Sequence, residues 1–144
     1  MKPRLLGSAA FVAFMALASA ASAGAEDVVA VVSAKSPVVS LTPAQVADIF
    51  LGKSSRFPDG TPALPIDLQE DSPARDKFYT QFTGKSPAQV KAHWSKIIFT
   101  GRGQPPRQAS DSREAKRLVA ENPNAIGYLE PSQVDSTLRV LTAR

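Results

Sequence analysis

Ser72-Pro73-Ala74-Arg75, preceded by Pro65-Ile66-Asp67-Leu68-Gln69-Glu70-Asp71, is where residue types and spacing could hold an ion. The stretch reads as a short strand, a polar loop and the first turns of a helix. Ser72 is a favoured N-cap residue, and Pro73 suits the first helical position. A helix start presents free backbone N–H groups and a partial positive charge, so it can hold an anion. Arg75 adds a full charge one turn in and could close over an oxyanion as a bidentate donor. Each feature has a plainer reading. Ser72 serves equally as a simple cap worth about 1 kcal/mol. Arg75 could pair on the surface with Glu70 or Asp71, a weak interaction. Asp67, Glu70 and Asp71 could form a weak cation site, but their spacing does not follow a calcium loop.

Other candidates are fewer. Ser33, Lys35 and Ser36 follow the C-terminal end of a first strand, where open α/β sheets bind ligands; a solvated loop is the alternative. Arg102 and Arg107 flank a Gly-Pro loop and could add positive potential to a cleft or contact a partner; a solvated loop is the favoured alternative. His93 is the sole histidine and lies beside an apolar helical stripe, as a partly buried flank residue. With one His and no Cys, no His-based triad and no thiolate metal site is in prospect. A non-enzymatic chain without cofactor or metal is therefore expected. Phe78, Phe82, Trp94 and Tyr128 read as core.

The elements that must position these residues are legible in order. Val28-Val29-Ala30-Val31-Val32 is a run suited to an inner strand buried on both faces. Thr42-Pro43-Ala44-Gln45 opens a helix with a capping box, Val46, Ile49 and Phe50 follow at helical spacing, and Gly52 stops it. Ala63 to Leu68 is a second strand. The helix from Ser72 ends at Gly84. Ser86-Pro87-Ala88-Gln89 caps another, with Val90, Trp94, Ile97 and Ile98 as its apolar stripe and Gly101 as its stop. Gly101 to Ala109 reads as loop, with Pro105-Pro106 extended. Asp111 to Glu114 caps a helix that buries Ala115, Leu118 and Val119. Ala125 to Leu129 is a strand whose Gly127 allows close packing or a bulge. A helical turn at Pro131 to Val134 and a last strand at Leu138 to Leu141 complete the order. One α/β domain with a mixed, largely parallel sheet flanked by helices follows.

The N-terminus has a different character. Lys2 and Arg4, an apolar run from Leu5 to Leu17 and the small-x-small site Ala21-Ser22-Ala23 make residues 1–23 a secretory signal peptide, too short to span a membrane. Residues 24–144 are then one exported domain, periplasmic or secreted. The formal charge of +4 falls to +2 once Lys2 and Arg4 are removed, and nucleic acid is not an expected partner.

The order of landmarks also carries a resemblance. Leu41-Thr42-x-x-Gln45-Val46-x-Asp48-Ile49-Phe50-Leu51-Gly52-Lys53 is similar to the helix and Ile-Phe-x-Gly-Lys segment of periplasmic phosphate-binding proteins. Asp71-Ser72-x-x-Arg75-x-x-Phe78 resembles their Gly-Ser-Gly-Thr-Arg-type helix start. Trp94 with Phe99 and Gly101, and Asn122-Pro123-x-Ala125-Ile126-Gly127-Tyr128, match later landmarks. The resemblance implies a single-lobe periplasmic-binding-protein-like domain and, at Ser72 and Arg75, a small oxyanion, most plausibly phosphate, for ABC-type uptake. The loop from Ser33 to Ser36 would form the other wall. It further implies an ABC transporter membrane subunit or another envelope protein as partner. Proteins of that kind usually close two lobes on the ligand, so this chain would need a second body, such as another copy in a homodimer. Departures point to an alternative, an interaction module that has lost the ligand. Pro73 stands for the family's glycine and Ala74 for its threonine. No Arg falls near Leu68, where the family has one.

Overall fold

A computed structural model describes residues 27–141. The expected signal peptide lies outside them. The chain runs β1 (Val29–Ser33), α1 (Pro43–Phe50), β2 (Leu64–Asp67), α2 (Pro73–Thr83), α3 (Pro87–Phe99), β3 (Arg107–Gln108), α4 (Ser112–Glu121), β4 (Ala125–Leu129), a 3-10 turn (Pro131–Gln133) and β5 (Leu138–Val140).

The strands form one sheet in the order β3-β2-β4-β1-β5. β2 pairs parallel with both β3 and β4, whereas β1 pairs antiparallel with β4 and with β5. Four of the five strands therefore point one way and β1 alone runs against them. The expected mixed, largely parallel sheet is present, flanked by four helices. Hydrophobic burial of the Val-rich β1 and the fully buried β4 forms its centre.

The helices start as local chemistry dictates. Thr42 and Ser86 close reciprocal capping boxes with Gln45 and Gln89, and the Asp111 carboxylate accepts from the Glu114 N–H. α4 lies hard against β4 at Gly127, where an added Cβ would stand 2.8 Å from Val119 Cγ2. Close packing, not a bulge, is the reason for that glycine.

One element is absent from the sequence reading. Within the expected loop 101–109, Arg107 and Gln108 pair with Ile66 and Asp67 as β3, and the Ala109 N–H donates to the Asp67 carbonyl at 2.8 Å. Two residues carry no periodicity of their own, so only the free edge of β2 specifies this strand.

Candidate functional site

The loop leaving the end of β2 delivers Ser72 to the start of α2. Ser72 adopts the extended backbone of an N-cap residue (φ −73°, ψ 125°), yet its hydroxyl makes no capping bond. This corrects the simple-cap reading. The reciprocal half of a capping box is missing as well. At 42 and 86 the Ser/Thr-Pro-Ala start is followed by Gln, whose side-chain oxygen accepts the cap residue's N–H. At 72 the third residue is Arg75, which has no acceptor, so no reciprocal box can close. The first-turn N–H groups of α2 are left without a side-chain cap.

Arg75 itself turns inward. It is buried, with Nε 3.4 Å from Asp67 Oδ1 and its guanidinium carbon 5.1 Å from the Tyr79 ring centroid. The surface pairing with Glu70 or Asp71 does not form; both of those side chains are exposed. Nor do the three carboxylates gather as a cation site, because Asp67 is only 2% exposed and points into the core. Among the described residues no group of three acidic or His side chains could hold a metal ion.

Asp67 is the centre of a buried polar network. Its Oδ2 accepts from the Tyr79 hydroxyl at 2.6 Å. Its Oδ1 accepts from the Tyr128 hydroxyl and from the Leu68 N–H. Burial, with the Asp67 charge beside them, pushes both tyrosine hydroxyls far above their ordinary value, so they stay protonated donors. Burial opposes the Arg75 charge, but the Asp67 carboxylate and the tyrosine oxygens more than offset this and raise its pKa. Beneath the network the Phe78 ring stacks on Tyr128 at 4.1 Å and meets Phe50 edge-on at 4.6 Å. The network pins the start of α2 to the end of β2. With both oxygens accepting hydrogen bonds, Asp67 has a structural role.

The other predicted residues fall elsewhere. Because β1 runs against its neighbours, Val32 is level with Ile126 and Pro65, near the beginning of β2 and β4. Ser33, Lys35 and Ser36 therefore leave at the end of the sheet opposite Ser72 and form no wall of that site. The Ser33 hydroxyl donates to the Ala120 carbonyl at 3.0 Å, and Ser36 Oγ accepts from the Val38 N–H. Arg139 donates to the carbonyls of Ala34, Ser36 and Val38, which fixes the loop. Lys35 is exposed. His93 is half-buried with Nε2 2.7 Å from the Leu51 carbonyl, as a helix-flank residue. Phe78, Trp94 and Tyr128 are buried and Phe82 packs against them, as expected of core. Arg102 and Arg107 are exposed.

The mixed, largely parallel sheet with α2 starting beyond the C-terminal end of β2 defines the fold as α/β. Several solved structures share this fold. A Clostridium perfringens protein assigned as a phosphate ABC transporter substrate-binding protein, solved with bound phosphate, superposes with a TM-score of 0.66 at 23% identity over 81% of this chain and 44% of its own. An ABC-type phosphate transport receptor from Vibrio cholerae gives 0.63 at 18% identity, over 81% of this chain and 46% of its own. PstS from Borrelia burgdorferi gives 0.58 at 13%, over 81% and 47%. The chain thus spans less than half the length of these three proteins. No protein-family model and no curated sequence matches it. The likeness establishes the fold, that of one lobe of a phosphate-type substrate-binding protein.

Proposed function

We propose that this chain is an exported, non-enzymatic solute-binding module, residues 1–23 being its signal peptide and residues 24–144 its single domain. Its ligand is a small oxyanion, phosphate or a close relative, taken at the start of α2 and destined for an ABC-type transporter. The observation that carries this reading is the α2 start. It is placed at the C-terminal end of β2, and its first-turn donors carry no side-chain cap. Backbone N–H groups there and the Ser72 hydroxyl are the proposed ligands. Arg75 supports the site from behind: held by Asp67, it lends positive potential through the first turn instead of clamping the anion. One lobe presents an open face, so tight capture calls for a second body, either another copy or an envelope partner.

A second reading has its own observation. Asp67 already neutralises Arg75, Pro73 offers no N–H, and Glu70 and Asp71 stand exposed beside the helix start. These favour an accessory module that keeps the lobe fold without the ligand.

Thermal unfolding in phosphate, with sulfate and chloride as comparisons, separates the two. Ligand at 100 times its dissociation constant adds about 2.7 kcal/mol of stability. A saturable, phosphate-selective rise in melting temperature supports the binding module. An unchanged melting temperature at millimolar phosphate supports the accessory module.

A further inference from the structure

From Lys77 to Ser110 the sequence contains no Asp and no Glu, while Lys77, Lys85, Lys91, Lys96, Arg102 and Arg107 all lie within it. α3 is the main element of this stretch. Its inner face is Val90 and Trp94, both buried, with Ile97 half-buried. Its outer face is Ala88, Lys91, Ala92, Ser95, Lys96 and Phe99, all exposed. Among the described residues neither lysine of that face is in an ion pair.

Phe99 at the tip is 92% exposed and Ile98 beside it 56%, an unusual placement for large apolar side chains. The backbone around them is closed. Gly101, at φ +67°, donates to the Ile98 carbonyl and Arg102 N–H donates to the Ile97 carbonyl, as in a Schellman cap. The Thr100 N–H and hydroxyl cover the Lys96 carbonyl. The tip can therefore enter an apolar medium without stranding these carbonyls.

We propose that the outer face of α3, with Phe99 as its anchor, is a docking surface for an anionic lipid bilayer. Charge decides against a second copy, which would set lysines against lysines. Composition decides for lipid over an acidic protein. Protein interfaces are depleted in Lys and need roughly 1,000 Å² or more of buried surface. Here an exposed Phe99 of roughly 200 Å² and a half-exposed Ile98 share the helix with the flexible point charges of Lys91 and Lys96, the pattern of interfacial helices. The inference is independent of the oxyanion reading, because α3 contributes none of the proposed ligands.

The test is co-sedimentation of the protein lacking residues 1–23 with vesicles of phosphatidylglycerol and phosphatidylcholine. Leader removal leaves every described element in place and removes an apolar run that would itself enter lipid. Binding is expected to the anionic vesicles and not to pure phosphatidylcholine, and it should fall as salt rises. The Lys91→Gln/Lys96→Gln variant should lose about thirtyfold in partition coefficient at unchanged melting temperature. Phe99→Ser should weaken binding at every salt concentration. Absence of binding at low salt, equal binding to neutral vesicles, or full binding by the double variant overturns the proposal. Binding of soluble polyglutamate without vesicle binding also overturns it and assigns the face to an acidic polypeptide.

Discussion

Asp67 is a buried carboxylate on β2 whose side-chain partners come from two other elements, α2 and β4. Its Tyr79 partner is 12 residues away in sequence and its Tyr128 partner 61. Asp67→Ala leaves the Arg75 charge buried without a counter-ion and should cost about 3–5 kcal/mol in urea denaturation; a loss below about 1 kcal/mol would show that Arg75 reaches water instead. The two tyrosines predict a pH dependence. Their folded pKa values lie above the unfolded value of about 10. Below pH 10 both states keep the protons. Above it the unfolded chain releases them first, so stability falls as pH rises. Urea midpoints between pH 8 and 11 should drop more steeply in the wild type than in Tyr128→Phe, and equal slopes would refute the network's role. Ser72→Ala, by contrast, removes no capping bond and should change stability by less than about 0.5 kcal/mol, against about 1 for a working cap. A full cap-sized loss would mean the hydroxyl does bond the first turn. Nothing local marks Asp67 for the core: in sequence it is one of three acidic residues within five positions, and only the tertiary fold separates it from Glu70 and Asp71.

At the scale of elements, most of the fold was legible because its signals are local. The capping boxes at Thr42 and Ser86, the Val-rich β1 and the Gly stops at 84 and 101 are read from a few neighbouring residues each. The direction of β1 was not legible, because a hydrophobic run carries no sign, and the Ser33 to Ser36 loop was consequently assigned to the wrong end of the sheet. The missing capping box at Ser72 did leave a signal. Arg75 occupies the position that Gln fills in the two working boxes. Gly52 shows how an apparently simple helix stop does a second job. Its φ is +74°, and a Cβ there would lie 2.8 Å from Trp94 Cη2, so Gly52→Ala is strained in backbone and in packing at once. It should destabilise by more than 1 kcal/mol, roughly the loss for alanine at a positive φ. Trp94→Ala, which empties the other side of that contact, should cost about 3–5 kcal/mol. An unchanged melting curve for either variant would mean that α3 does not pack on the end of α1 as described.

For the molecule as a whole, two features frame function: a fold that matches less than half of its structural neighbours, and a segregation of charge that leaves α3 basic and the α2 start flanked by carboxylates. The first sets this chain beside less than half of each neighbour. The second sets a limit on the anion's affinity in isolation, since Glu70 and Asp71 oppose it at low salt. The most direct measurement is a phosphate titration followed by amide proton–nitrogen NMR. Saturable shifts are expected at the N–H groups of Ala74 and Arg75, with sulfate weaker and with the Ser33 to Ser36 amides still; the Ser72 N–H already donates to the Gln69 carbonyl. Shifts centred elsewhere, or none at millimolar phosphate, would contradict an oxyanion site at the start of α2.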